Sequence, residues 1–197
     1  MVYRACAKNI HWREIKSERL QDIADGLLFL KEQGWQFSSI TIDGRKGAIK
    51  LIESLFAGMP VQMCLFHQQA IIRRYITGNP KTDCGIAIKN LMFDLQKLSE
   101  EQFINRLVEL QNTYKHFLLE RNENREFRHR RLRSALRSLR SNANWIFTYK
   151  RFPELSIPTT TNTCDGSFAH WKNMVKIHRG LRKDRKAKMI SFLLKTS

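Results

Sequence analysis

Hydrophobic and polar residues along the first third of the chain recur with spacings that alternate between those of strands and helices. "VYRACAK" and "IHWREIK" predict two short strands around Asn9. Helical spacing of apolar residues predicts helices over 20–33, where Gly34 ends the run, and over 45–56. "FSSITID" alternates as a strand does, and "VQMCLFH" is an apolar run typical of a buried strand. The order strand, helix, strand, helix, strand predicts an α/β fold.

From residue 81 to residue 150 the pattern predicts helices only. The first helix has an apolar stripe of Ile88, Leu91, Met92, Leu95 and Leu98. Ser99 followed by Gln102 predicts a capping box at the start of the second, whose stripe is Phe103, Leu107, Leu110, Tyr114, Phe117 and Leu118. The third, over 128–142, places apolar residues on one face and arginines on another. Its apolar positions are Leu132, Leu136, Leu139 and Ala143, and its arginines include Arg130, Arg133, Arg137 and Arg140.

The last part of the chain predicts one further helix after a segment interrupted by prolines. Pro153 and Pro158 block a helix in "RFPELSIPTTTN". Asn162 is a suitable N-cap, and Asp165, Phe168, Trp171 and Val175 follow at helical spacing. Asp165 therefore falls in the first turn, where its position alone favours a role in offsetting the helix dipole.

Charge narrows the choice of partner. Lys and Arg number 35 against 18 Asp and Glu, a net charge of +17, and most of the surplus lies in residues 121–151 and 172–188. A surplus concentrated in this way indicates a polyanion such as nucleic acid, although a solvated basic surface is the alternative. An anionic membrane would favour an amphipathic terminal helix, so we expect no membrane partner.

Other bulk features predict a cytoplasmic protein. No apolar run approaches the roughly 20 residues of a membrane span, and "MVYRACAKNIHW" lacks a stretch typical of a signal peptide. The four cysteines, Cys6, Cys64, Cys84 and Cys164, form no CxxC pair, which favours reduced thiols.

Four segments together resemble the Mutator-type bacterial transposases, a branch of the DDE transposases. The segments are "IDGRKG", "PVQMCLFHQQAIIRRYIT", "HRRLRSALRSLRSN" and "IPTTTNTCDGSFAHWKNMVKIHRGL". The resemblance covers nearly the whole chain in the right order. It implies one RNase H-like catalytic core in two parts. The first part covers residues 1–79 and the last part residues 157–197, and an all-helical insertion over 80–156 separates them.

The resemblance also implies an active site. Asp43 matches the second catalytic acid, Cys64 and His67 match a C-x-x-H motif, and Asp165 matches the third acid. DNA cleavage and joining are in-line displacements at phosphorus, in which two Mg²⁺ ions roughly 3.5 to 4 Å apart stabilise the attacking and leaving oxygens. Asp43 and Asp165 would bind Mg²⁺, with Mn²⁺ as a substitute. His67 would bond a phosphate or a metal-bound water, and Cys64 would pack beneath the site.

The resemblance implies that the partner is DNA, both as transposon ends and as target. It also implies that the protein binds DNA as a homo-oligomer, in the bacterial cytoplasm and associated with the nucleoid. The residues expected to contact DNA are basic and fall in two groups. They are Arg130, Arg131, Arg133, Arg137 and Arg140 in the insertion, and Lys172, Lys176, Arg179 and Arg182 near the C-terminus.

Two departures from the family pattern bear on activity. The family places its first catalytic aspartate on an opening strand that would precede "MVYRACAKN"; no residue here matches it, and Asp22 and Asp25 fall in a predicted helix. We therefore expect a truncated open reading frame. The third acid is aspartate where the family has glutamate, which retracts the carboxylate by roughly 1.5 Å, and a misplacement of about 1 Å can lower a rate about a hundredfold.

Four alternatives stay open. A catalytically inactive remnant would still bind DNA through its basic residues. Cys64 and His67 could instead be half of a zinc site, but structural zinc needs four ligands, and Cys84, Cys164 or His178 would have to converge without a spacing motif. The two residues could also serve ordinary strand packing. An RNA-binding protein is a more distant interpretation, since no RNP-like or GXXG motif occurs.

Overall fold

The structure is a computed structural model that describes residues 1–5, 8–161, 171, 173–177 and 180–195. It is mixed α/β and mostly helical, and the described strands form two separate two-stranded sheets. The chain divides into two compact units. Unit 1 consists of Met1–Ser38, Arg45–Met59 and Thr161–Ser197, and unit 2 of Ser39–Gly44 and Pro60–Thr160. These units divide the chain differently from the three predicted segments, because residues 60–79 join the helices that follow them.

Unit 1 contains an antiparallel hairpin, three helices whose bounds lie wholly within the described residues, and a further helical segment around residues 173–177. The elements are β1 (Val2–Ala5), β2 (Lys8–Trp12), α1 (Leu20–Glu32), α2 (Lys46–Leu55) and α9 (Lys183–Lys195). Ala5 pairs with Lys8, so Asn9 lies inside β2, opposite Arg4, and not between two strands as predicted. The second strand also ends at Trp12, four residues before the predicted "IHWREIK" segment ends.

The helices predicted for unit 1 are confirmed within its described residues. The apolar stripe of α1, including Ile23, Leu27 and Leu30, is buried, and so are Ile49 and Ile52 of α2, against which α1 packs. The chain leaves α1 through Gly34 at a φ of 85°, a left-handed conformation that suits glycine. Trp171 and residues 173–177 are helical, as predicted. Asn162, Asp165 and Phe168 lie outside the described residues.

Unit 2 contains a parallel pair of strands followed by the predicted helical region. Its elements are β3 (Ile40–Ile42), β4 (Val61–Met63), α3 (Leu65–Ile76), α4 (Asp83–Asp94), α5 (Glu100–Thr113), α6 (Lys115–Leu119), α7 (Arg130–Ile146), α8 (Thr148–Arg151) and a short 3₁₀ helix (Pro153–Leu155). Ser99 forms the predicted capping box with Gln102 at the start of α5. Among the described residues, no helix is long and apolar enough to cross a bilayer.

Helix α7 is the central element of unit 2. It packs against α3, α4, α5 and β4, and it buries the predicted face of Leu132, Leu136, Leu139 and Ala143. Phe103 of α5 and Phe147, both fully buried, approach each other with their ring centroids 5.2 Å apart. The burial of these side chains fixes one face of α7 inward, and its arginines are therefore confined to the flanks and the solvent side.

Candidate active site

The parallel pairing of β3 and β4 brings two predicted site residues together. Ile42 pairs with Met63, and the Cys64 N–H donates a 2.8 Å hydrogen bond to the Ile42 carbonyl. Asp43 directly follows Ile42, and Cys64 directly follows Met63. The two residues therefore lie side by side at the carboxyl ends of the two strands. In parallel sheets this edge is where ligands bind in many α/β proteins. Asp43 is half-buried there.

The glycine after Asp43 has a steric role. A Cβ built on Gly44 would lie 2.3 Å from the Met63 Cε atom and 3.0 Å from the Ile71 Cδ1 atom. Any larger residue would require the flexible end of the Met63 side chain to move. The "DG" pair thus places a carboxylate directly before a position at which the Met63 side chain packs closely.

The predicted strand "VQMCLFH" is wrong in its second half. Strand β4 ends at Met63, Cys64 is the N-cap of α3, and His67 lies in the first turn of that helix. The apolar residues of this segment continue at helical spacing, since Leu65, Ile72 and Ile76 are all buried. A short apolar run fits a strand and a buried helix equally well, which is why the boundary was missed.

The C-x-x-H spacing equals the spacing of a capping box, but the box is not formed. In a capping box the third helical residue would bond the backbone N–H of the cap residue. Here that N–H already bonds Ile42, and the Cys64 side chain caps no backbone N–H. The Cys64 side chain is fully buried, which fits its predicted packing role. His67 therefore does not serve as a helix cap.

His67 has a buried nitrogen without a partner. Its Nδ1 atom makes no hydrogen bond within the described part of the chain. A buried polar atom left unsatisfied costs about 1 to 3 kcal/mol, and such atoms in folded proteins call for an explanation. The residue as a whole is only partly buried, so another part of the imidazole ring is open to solvent while Nδ1 itself is enclosed.

The donor chemistry at this edge fits Mg²⁺ as far as the structure describes it. Asp43 offers hard carboxylate oxygens, the ligands that Mg²⁺ prefers. Across the described residues, however, no group of three His, Cys, Asp or Glu side chains converges on one point. Asp165, the predicted second ligand, lies outside those residues.

Cys84 of α4 is a buried free thiol, and burial raises its pKa to about 11.

Asp22 and Asp25, considered as substitutes for the first acid, both lie in α1. The buried Asp22 carboxylate accepts a 2.5 Å hydrogen bond from the Arg13 guanidinium and a 3.1 Å bond from the Arg19 backbone N–H. The bond from Arg13 holds the pKa of Asp22 below its ordinary value, with Arg19 adding to the effect. Asp22 is thus a buried carboxylate held within unit 1 by partly exposed arginines.

Replacing Asp22 with asparagine should lower the melting temperature of the protein at pH 7. A carboxyl whose pKa is depressed by folding stabilises the fold above its unfolded pKa of about 3.9 and loses that contribution as the pH falls. The difference in melting temperature between wild type and variant should therefore shrink below about pH 4. Asp25→Asn is the matched control, because Asp25 is only half-buried and lies 3.4 Å from Arg13. An equal effect of both variants at every pH would contradict this account.

The predicted arginine face of α7 is divided by its contacts. Arg130 pairs with Glu126 at 3.2 Å. Arg133 donates to the Leu118 carbonyl at 3.2 Å and stacks over the Phe127 ring at 3.7 Å. Arg131 donates to the Arg74 carbonyl on the opposite flank of the helix. These three arginines hold the helix against the segment before it and against α3.

Exposed Arg131 has no acidic partner, but its guanidinium donates to the Arg74 carbonyl. Arg137 and Arg140, also exposed, form neither an ion pair nor a side-chain hydrogen bond within the described part of the protein, so their charges stay uncompensated, and α7 itself contains no acid. They lie about one helical turn apart on the solvent side. Of the C-terminal group, Lys176 and Arg182 are exposed, while Lys172 and Arg179 lie outside the described residues.

Sequence reasoning missed a buried amide network that joins α7 to β4 and α3. The Asn142 side chain donates to Gln68 Oε1 at 2.8 Å, and the Gln62 side chain donates to the Ile146 carbonyl at 2.9 Å. The Tyr149 N–H donates to Gln62 Oε1 at 2.9 Å. Gln68 directly follows His67, so the network fixes the first turn of α3 against the carboxyl half of α7. In the sequence, Gln68 of α3 and Asn142 of α7 each stand at a helical position where an apolar residue would be expected, and this was the only signal of the network.

No protein-family model, curated protein or solved structure matches this chain. A proposal about its function therefore rests on its own residues and their geometry.

Proposed function

We propose that this protein is a DDE-type DNA transposase, acting in DNA strand cleavage and strand transfer on an RNase H-like core. The observation that carries the proposal is the pairing of β3 with β4, which sets Asp43 beside Cys64 and the first turn of α3. A carboxylate at this edge, with a histidine in the first turn of the helix that follows the neighbouring strand, suits the binding of a metal ion and a phosphate group.

The order of elements supports the same proposal. The resemblance implies that the second acid ends a strand, that C-x-x-H follows the next strand, and that helices precede the third acid. In this chain Asp43 follows β3, Cys64 follows β4, and helices α3 to α8 lie between Cys64 and residue 165. The RNase H-like core itself stays a proposal, because the described strands form two separate pairs.

Each described site residue then has a defined task. Asp43 would hold a divalent ion, and His67 would orient the phosphate through its ring nitrogen. Mg²⁺, when bound, would supply positive charge at the oxygens of the scissile phosphate. Arg137 and Arg140 would bind backbone phosphates of the DNA. We also expect Asp165 to join Asp43 and the protein to act as a homo-oligomer on the bacterial nucleoid.

A DNA-binding remnant without cleavage activity is the second candidate. It is favoured by the two uncompensated arginines of α7, together with the finding that no group of three potential metal ligands converges among the described residues. Binding to DNA phosphates through arginine needs no metal ion, so this candidate requires only the basic surface.

Nicking of supercoiled plasmid DNA by the full chain tests the proposal. The transposase predicts relaxed plasmid that accumulates with Mg²⁺ and not with EDTA, alongside retention of DNA in a gel shift. The remnant predicts retention with no cut product under either condition. DNA retention that is insensitive to salt would contradict both, because neutralising phosphates releases counterions.

A further inference from the structure

Helix α9 of unit 1 carries an aromatic side chain in a row of basic ones. Arg185, Lys188, Phe192 and Lys195 follow one another at intervals of three and four residues, so they share one face of the helix. All four are exposed, and Phe192 is 65% exposed. This row is called the α9 stripe.

The opposite face of α9 is anchored, which explains why the stripe faces solvent. Leu194 is buried, its carbonyl accepts a 3.0 Å hydrogen bond from the Asn9 side chain, and α9 packs against β2. Phe192 precedes Leu194 by two residues and therefore projects about 200° around the helix from it. Packing of α9 on β2 thus leaves Phe192 on the outer side.

We propose that the α9 stripe binds single-stranded nucleic acid, with an unpaired base stacked on Phe192 and backbone phosphates bound by Arg185, Lys188 and Lys195. Proteins that hold single strands combine basic side chains that follow the backbone with aromatic rings on which bases stack. Bases within a duplex already stack on one another and offer no free face to Phe192. This site is separate in the chain from Asp43 and does not depend on cleavage activity.

A membrane surface is the competing ligand for a basic helix with an exposed aromatic residue. Interfacial helices bury a continuous apolar face in the bilayer. In α9 the side of the helix near Leu194 is packed on β2, and the stripe offers Phe192 as its one apolar side chain. A single ring flanked by cations fits a stacked base better than it fits the acyl region of a bilayer.

Fluorescence anisotropy with labelled oligothymidylate, oligouridylate and a duplex of the same length tests the proposal. Phe192→Ala should weaken binding of at least one of the single strands by about fivefold to a hundredfold, and binding of the duplex by less than about twofold. The relative losses on the two single strands show which of these two probes depends more on Phe192. Phe192→Trp should preserve binding, and Phe192→Leu should not, because leucine keeps the apolar surface and lacks the stacking face.

Two controls make the result decisive. Ile177→Ala removes an exposed apolar side chain, 73% exposed, from another helix of unit 1 and should change nothing. Circular dichroism of each variant checks that α9 still folds. Equal loss on duplex and single strands, or wild-type binding by Phe192→Leu, would overturn the proposal. So would binding to phosphatidylserine vesicles that depends on Phe192 while single strands bind the variant normally.

Discussion

Replacing Asp43 with asparagine should lower Mg²⁺-dependent DNA nicking by at least about a hundredfold and leave DNA retention unchanged. Asparagine has nearly the same shape as aspartate, and the backbone pairing of β3 with β4 does not involve the side chain at position 43. The variant should therefore fold while losing the negative charge that would hold the metal ion. Initial rates on supercoiled plasmid, measured across a Mg²⁺ titration, give the comparison.

Asp83→Asn is the matched control for this experiment. Asp83 is an exposed aspartate in the first turn of α4, also in unit 2, and has no predicted role in the site. Its replacement changes the net charge by the same amount and should leave the nicking rate near that of wild type. Equal rates for Asp43→Asn and wild type would remove Asp43 from the chemistry.

Replacing both Arg137 and Arg140 with alanine should weaken binding of duplex DNA roughly tenfold to a hundredfold. Each replacement removes a guanidinium that would neutralise one DNA phosphate. The slope of the logarithm of affinity against the logarithm of salt concentration should become shallower by about 0.9 for each phosphate that is no longer neutralised. Filter binding over a series of salt concentrations measures both quantities, and several unrelated duplex sequences should be affected alike.

The double variant Arg106→Ala with Arg130→Ala tests whether pairing matters. It removes the same charge from unit 2, but Arg106 pairs with Asp94 at 3.4 Å and Arg130 pairs with Glu126. These partners already compensate the two charges, so we expect a clearly smaller decrease in affinity and a smaller change of slope. Equal decreases in both double variants would show that only the overall charge of the protein governs binding.

Helical periodicity predicted α1, α2, α5 and α7 because their buried faces repeat over several turns. In α7, for example, the predicted face of Leu132, Leu136 and Leu139 is buried. The strands were less predictable. β3 and β4 are three residues long each, and a run of that length carries too few positions for alternation to define its ends. The start of α3 inside "VQMCLFH" was missed for this reason.

The candidate site could be predicted only in outline. Asp43, Cys64 and His67 were found by their motif, and their chain positions follow two paired strands. Which arginines of α7 lack contacts could not be found from the sequence, because Arg130, Arg131 and Arg133 make theirs with residues of other segments, namely Glu126, Arg74 and Phe127. The buried pair of Gln68 with Asn142 also depends on how α3 and α7 pack, which local sequence does not specify.

Cleavage of the polypeptide by bound iron tests most directly whether a metal ion binds beside Asp43. Fe²⁺ that replaces Mg²⁺ generates hydroxyl radicals with ascorbate and peroxide, and these cut the backbone close to the ion. The proposed site predicts cuts near residue 43, near residues 64–67 and near residue 165, all suppressed by excess Mg²⁺ and by Asp43→Asn. Cuts confined to other parts of the chain, or cuts near residue 43 that persist in Asp43→Asn, would contradict it.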